Sequence, residues 1–312
     1  LVGSEMCIRD RIGEMLRIKR NRLMPDHVTG EEKRICLVSG IYGDELGGQY
    51  ICGEIIRRIK AEFHNLTGIV DVYPAVNPLG LDARTRAVPI SDIDYSSAFP
   101  GDINGGLEDY TAAKLLEDIK GASCCIDIHS SNIFLQEVPQ VRLNDDYDEM
   151  LLHLAKYMNT DLVWIHPSQT VNEGSLAYAL NQMGIPTMVT ESGSAFRIRY
   201  EYCRQIIDGI FSVMAELGIW KGKTNGKTDV PFINEDKICY LNCEFSGLFV
   251  SYKRLKDRVK KGEIIGIIQN PLMGATEEEV IAPVDGILMT LREHPSVAEG
   301  SLVARVIGGG NL

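Results

Sequence analysis

ICLVSGIYGDE (35–45) opens as an apolar run of strand length, turns on glycine and leads into a helix. In that helix Ile51, Ile55, Ile56, Ile59 and Phe63 recur on one face, the 3.6-residue signature of a surface helix. IVDVYPAV (69–76) then reads as a second strand, followed by a long loop with Pro78, Gly80, Pro89, Pro100 and Gly101. The same texture continues outward. A helix is predicted near 107–119, on Ala112, Leu115, Leu116 and Ile119, before the strand CCIDI (124–128). Leu151, Leu154, Ala155 and Met158 mark a helix before the strand DLVWI (161–165). Leu176, Ala177 and Leu180 precede the strand PTMVT (186–190), and the last helix carries Cys203, Ile206, Ile207, Ile210, Met214 and Leu217. Strand and helix alternating at this spacing predict an α/β fold whose largely parallel sheet has helices on both faces.

The texture changes after KGKTNGKTDV (221–230), a polar stretch without periodicity that reads as a linker. Beyond it, short apolar runs separated by Gly and Pro predict a small all-β domain over 231–312, set against a catalytic-type α/β domain over 12–222. The rhythm VKKGEIIGII, VIAPVDGIL, SVAEGSLVARVI resembles a biotinyl/lipoyl-type barrel. Such carriers need a lysine at the central hairpin, which here reads Val284-Asp285-Gly286. A structural, oligomerisation or lid role is therefore expected, with no covalent cofactor. LVGSEMCIRDR (1–11) resembles translated sequencing-adapter read-through and is set apart as a non-native segment.

Net charge is −11, from 43 acidic and 32 basic residues, which argues against a nucleic-acid partner. No apolar run approaches the ~20 residues of a membrane span. Of eight cysteines, Cys36, Cys124 and Cys125 fall in strand-like runs and Cys203 on a helical stripe. They read as small core residues in a reducing, cytoplasmic setting. The expected partner is a small molecule, with a homo-oligomer as a further option.

In open α/β sheets ligands bind beyond the carboxyl ends of the strands. Four groups sit there: SGIYGDE (39–45), NPLGLDARTR (77–86), DIHSS (127–131) and ESGS (191–194). Their order, together with DYSSAFPG (94–101), resembles the succinylglutamate desuccinylase/aspartoacylase branch of the zinc carboxypeptidase clan over roughly 35–217. The resemblance implies a zinc-carboxypeptidase-like sheet, one zinc ion per chain and hydrolysis of a small N-acyl amino acid or related amide. Carried over, it makes Glu45 and His129 zinc ligands, Glu191 the general base and Arg86 the group that polarises the scissile carbonyl. That set is chemically coherent. An open zinc position lowers the pKa of bound water to about 7, and a nearby carboxylate can take its proton.

Two departures stand out. Tyr42 occupies the position of the first zinc-binding His, so it is a ligand only as a phenolate. Ser96-Ser97 replace the Asn-Arg pair that grips substrate carboxylate in the family, and Ser cannot supply that bidentate clamp. Each position also has a structural reading. Glu45 could serve the helix dipole, Arg86 could pair with Asp82 or Asp92, and His129 could be a hydrogen-bonded structural residue. His166 is a remote substitute ligand. Two functions follow: a zinc-dependent deacylase, or a non-catalytic relative with a degenerate zinc site.

Overall fold

The computed structural model describes residues 2–9, 15–89, 91–146, 148–167 and 173–309. Its main sheet is built from β1 (Val2–Arg9), β2 (Met15–Leu23), β3 (Arg34–Ser39), β4 (Ile69–Tyr73), β5 (Cys124–Ser130), β6 (Leu135–Asn144), β7 (Leu162–His166) and β8 (Thr187–Gly193). The chain continues through β9 (Phe232–Asn234), β10 (Ile238–Asn242), β11 (Gly247–Ser251), β12 (Arg258–Val259) and β13 (Ile264–Gln269). It ends with β14 (Thr276–Ile281), β15 (Gly286–Arg292), β16 (Ser296–Val297) and β17 (Leu302–Gly308). The helices are α1 (Leu46–Ala61), α2 (Pro78–Ala83), α3 (Leu107–Ile119), α4 (Glu149–Ala155), α5 (Leu176–Gln182) and α6 (Tyr200–Glu216). None of them is long and apolar enough to cross a membrane.

The strand order β1-β2-β4-β3-β5-β8-β6-β15-β17-β10 has a parallel centre, β4-β3-β5-β8, and antiparallel flanks. Strand alternation assigns each face. Ile35, Leu37, Cys124, Ile126, Ile128 and Met188 join the apolar stripes of α1, α4 and α6. Cys36, Val38 and Cys125 face α3 and α5 instead. Adjacent Cys124 and Cys125 thus enter opposite cores, as their place in a strand requires. The seven cysteines with described side chains are all free.

Three features extend beyond the sequence reading. The chain before residue 35 supplies β1 and β2, which extend the sheet antiparallel to β4. Strand β6 lies where the sequence predicts no strand. Pro139 argues against a paired strand there, because it has no N–H to donate. The β6–β8 register shifts between Glu137 and Gln140, so the ladder passes over the proline. Finally, β15 pairs with β6, placing Thr290 opposite Glu137, and β9 pairs with β7. The β-rich end of the chain, expected as a unit of its own, is hydrogen-bonded into the main sheet. A four-stranded sheet, β14-β13-β11-β16, adds a separate small core.

Candidate active site

The face that holds α3 and α5 becomes polar at the carboxyl edge of the sheet. On β5, Asp127 and His129 follow Cys125 at period two, and on β8 Val189 and Glu191 do the same. Register places His129 beside Glu191, and Arg142 of β6 beside Val189. These residues line one cavity of about 290 Å³, together with Tyr42, Glu45, Arg86 and Ser96 from the loops.

Two turns bring the loop residues in. Gly43 rests against the backbone of Gly80, where a Cβ would lie 2.0 Å from a carbonyl carbon, so only glycine fits there. Its N–H points to Arg86 O at 3.4 Å, and the Asn77 side chain caps α2 through Gly80 N. The SGIYGDE and NPLGLDARTR turns are thereby held face to face, with Glu45 at the start of α1.

Glu45 is the hub of one half of the cavity. Its Oε2 accepts from Ser130 N at 2.9 Å and lies 3.0 Å from His129 Nδ1, while Oε1 accepts from Arg86 Nη1 at 3.2 Å. Burial raises its carboxyl above the usual range, opposed by His129, Ser130 and Arg86. His129 Nε2 lies 3.1 Å from Asp127 Oδ1. Burial pulls the His129 pKa down, but Asp127 and Glu45 outweigh it and raise it well above 6.5. Arg86 lies flat over Tyr42, its guanidinium carbon 3.4 Å from the ring centre, with Asp94 Oδ2 3.9 Å from Nε. The Tyr42 phenol hydrogen-bonds the Ser96 side chain, and burial pushes its pKa up from 10. The two departures from the family pattern therefore touch each other.

The other half is organised around Glu191. Arg142 Nη1 sits 3.1 Å from Glu191 Oε2, and Nη2 donates to Glu137 Oε2 at 2.8 Å. Glu137 Oε1 accepts from Arg305 Nη1 of β17 at 2.7 Å and from Thr290 Oγ1 of β15 at 3.3 Å. Both guanidiniums lie 5.3 Å from the Trp164 ring centre. Burial pushes the Glu191 carboxyl up to about 7, opposed by Arg142. A carboxyl near neutrality beside an open cavity is suited to passing protons.

Among the predicted site residues, Glu45, His129, Arg86, Tyr42, Ser96 and Glu191 meet in this cavity. Ser97 does not line it; its hydroxyl donates to Asp94 O at 2.9 Å. His166 lines an adjoining cavity of about 460 Å³, stacked on Trp164 at 4.2 Å, and burial lowers its pKa to about 4. Arg86 pairs with Glu45 rather than with Asp82 or Asp92. Arg142, Glu137 and Arg305 lie outside the predicted site residues: the first two stand on β6, where no strand is predicted, and Arg305 on the distant β17.

As a zinc site the donor set is two-thirds complete. Glu45 and His129 stand 3.0 Å apart with Asp127 behind the imidazole, the arrangement that orients a metal-binding His. The third position is a Tyr42 phenol whose pKa burial raises and whose ring Arg86 covers, which does not suit a zinc donor that must be a phenolate. Among the described residues no group of three or more His, Cys, Asp or Glu is placed to hold an ion.

The family model of the succinylglutamate desuccinylase/aspartoacylase catalytic domain matches residues 31–217. N-alpha-acetyl-L-2,4-diaminobutyric acid deacetylase from Halomonas elongata is 25% identical over 284 residues, covering 88% of this chain and 82% of the relative. The product-bound ectoine utilization protein EutE (DoeB) from Ruegeria pomeroyi superposes with a TM-score of 0.84 at 21% identity, over 98% of this chain and 95% of that one. A succinylglutamate desuccinylase/aspartoacylase from Rhodobacter sphaeroides gives 0.81 at 23% identity, over 99% and 96%.

Proposed function

Because the chain belongs to the succinylglutamate desuccinylase/aspartoacylase family, we propose that it hydrolyses the amide bond of a small N-acyl amino acid. The observation that carries this reading is Glu191 beside the Glu45–His129 pair in the lining of one cavity of about 290 Å³. That volume suits an acyl amino acid. The Halomonas relative, by its name, removes an acetyl group from an amino acid.

In this reading Glu191 takes a proton from the attacking water and returns it to the leaving amine, while Arg142 holds its carboxylate in place. Arg86 faces the developing oxyanion. Ser96 is left as a polar contact for the substrate, and Ser97 acts only by holding the loop. Zinc, at one ion per chain and weakly held, is proposed on Glu45 and His129, with Tyr42 as a third donor only in its phenolate form. Bound there, zinc would supply an acidified water and polarise the carbonyl. Loading requires His129 to give up its proton, so it strengthens as pH rises. The free cysteines favour a reducing compartment, and we place the protein in the cytoplasm.

A specific observation favours a second reading. Tyr42 stands where the family has a metal-binding His, burial raises its pKa and Arg86 covers its ring, as expected of a binding protein that has lost its metal. Release of free amine from a panel of N-acetyl amino acids, with added zinc, separates the two. Turnover that Glu191→Gln abolishes supports the hydrolase. Binding of the same compounds without turnover supports the binding protein.

A further inference from the structure

We infer that Arg86 competes with a metal ion for Glu45, so that this arginine, rather than the missing histidine alone, sets how weakly the site holds zinc. The inference rests on reading Glu45 and His129 as the metal pair. Both oxygens of Glu45 are already engaged: Oε2 with His129 and Ser130, Oε1 with Arg86. The arginine therefore supplies a positive charge at the carboxylate where an ion would enter. Two positive charges sharing one carboxylate repel, and Glu45 itself is buried, at 4% side-chain exposure.

Arg86 is also held in that place. The Tyr42 ring lies under its guanidinium at 3.4 Å, a cation–π contact, and Tyr42 is fixed by Ser96. A histidine at position 42 would offer a metal donor and remove the phenol–Ser96 tie together. Arg86 nonetheless has somewhere else to go. Its side chain is 41% exposed, and Asp94 lies 3.9 Å from its Nε. An incoming ion would move Arg86 off Glu45 and towards Asp94. The structure thus places one cation between two carboxylates, with the metal deciding which of them it keeps. The opposite role, an arginine that braces the metal ligand, predicts the opposite response to its removal.

The test is the zinc dissociation constant of the full chain, measured by competition with a fluorescent zinc chelator. Arg86→Gln is expected to bind zinc at least tenfold more tightly than wild type. Asp94→Asn, which removes the alternative partner, is expected to bind severalfold more weakly. An Arg86→Gln protein that binds zinc no tighter than wild type overturns the inference. Should Arg86→Gln fail to fold, Asp94→Asn decides alone, and affinity equal to or above wild type overturns it. Stoichiometric zinc in wild type with no gain in Arg86→Gln removes the competition but leaves the metal pair standing. No zinc in wild type or either variant removes both.

Discussion

The cavity has two halves built in different ways. Around Glu45 the charged groups come from turns and strand ends, and the cation there, Arg86, is 41% exposed and has two carboxylates within reach. Around Glu191 they come from strands, and Glu137 is locked between Arg142 and Arg305, at 2% side-chain exposure. The first half can rearrange; the second is braced by the β-rich end of the chain through β15 and β17. In the function proposed above, the metal position altered at Tyr42 lies on the loop side, and the carboxyl assigned to proton transfer lies on the braced strand side.

The sharpest way to break this contrast is on the strand side. Glu191→Gln should lower amide hydrolysis by about 10²–10⁴-fold while the fold survives, because only the proton carrier is lost. Amine release beside a circular-dichroism melt checks both parts; an active Glu191→Gln would remove Glu191 from the chemistry. Next in size is the brace. Glu137→Ala leaves two part-buried guanidiniums without their shared carboxylate, Arg142 keeping only Glu191, and should cost about 1.5–3 kcal/mol in urea unfolding. A loss below about 1 kcal/mol would show that the strand side is no more rigid than the loop side.

A smaller effect distinguishes the halves by pH. The Glu191 carboxyl, at about 7 against an ordinary 4.5, binds its proton more tightly in the folded chain. Its contribution to stability is complete below about 4.5 and is lost as pH rises to about 7. His129 is raised above 6.5, so its contribution is present below 6.5 and is lost as pH climbs through the raised value. Both slopes run the same way. Melting temperature measured against pH should fall over both windows, with Glu191→Gln flattening the lower one and His129→Gln the upper. An unchanged lower slope in Glu191→Gln would contradict the raised carboxyl.

The same contrast explains what could be read from sequence. Glu45, Arg86, His129 and Glu191 each follow a predicted strand inside a short polar motif, so position and chemistry coincide. Cys124 and Cys125 could be assigned to opposite faces by period two alone. Arg142 and Glu137 were hidden because Pro139 disguised β6, and nothing local marks the bulge that accommodates it. Arg305 sits in an alternating strand over 160 residues from its partner Glu137, and only the β15–β6 pairing brings them together. The bond between Tyr42 and Ser96 was likewise out of reach. Both substitutions were visible, but their meeting in one cavity depends on how two separate loops fold, which neither motif specifies.

In the reading proposed above, Glu45 and His129 form an incomplete metal pair with Tyr42 at the third position. Zinc content after dialysis against a weak chelator, for wild type and Tyr42→His, tests it most directly. We expect wild type to retain well under one zinc per chain and Tyr42→His to retain clearly more. Wild type holding one zinc per chain, with Tyr42→His holding no more, would contradict the claim and make Tyr42 or an unrecognised group the third ligand.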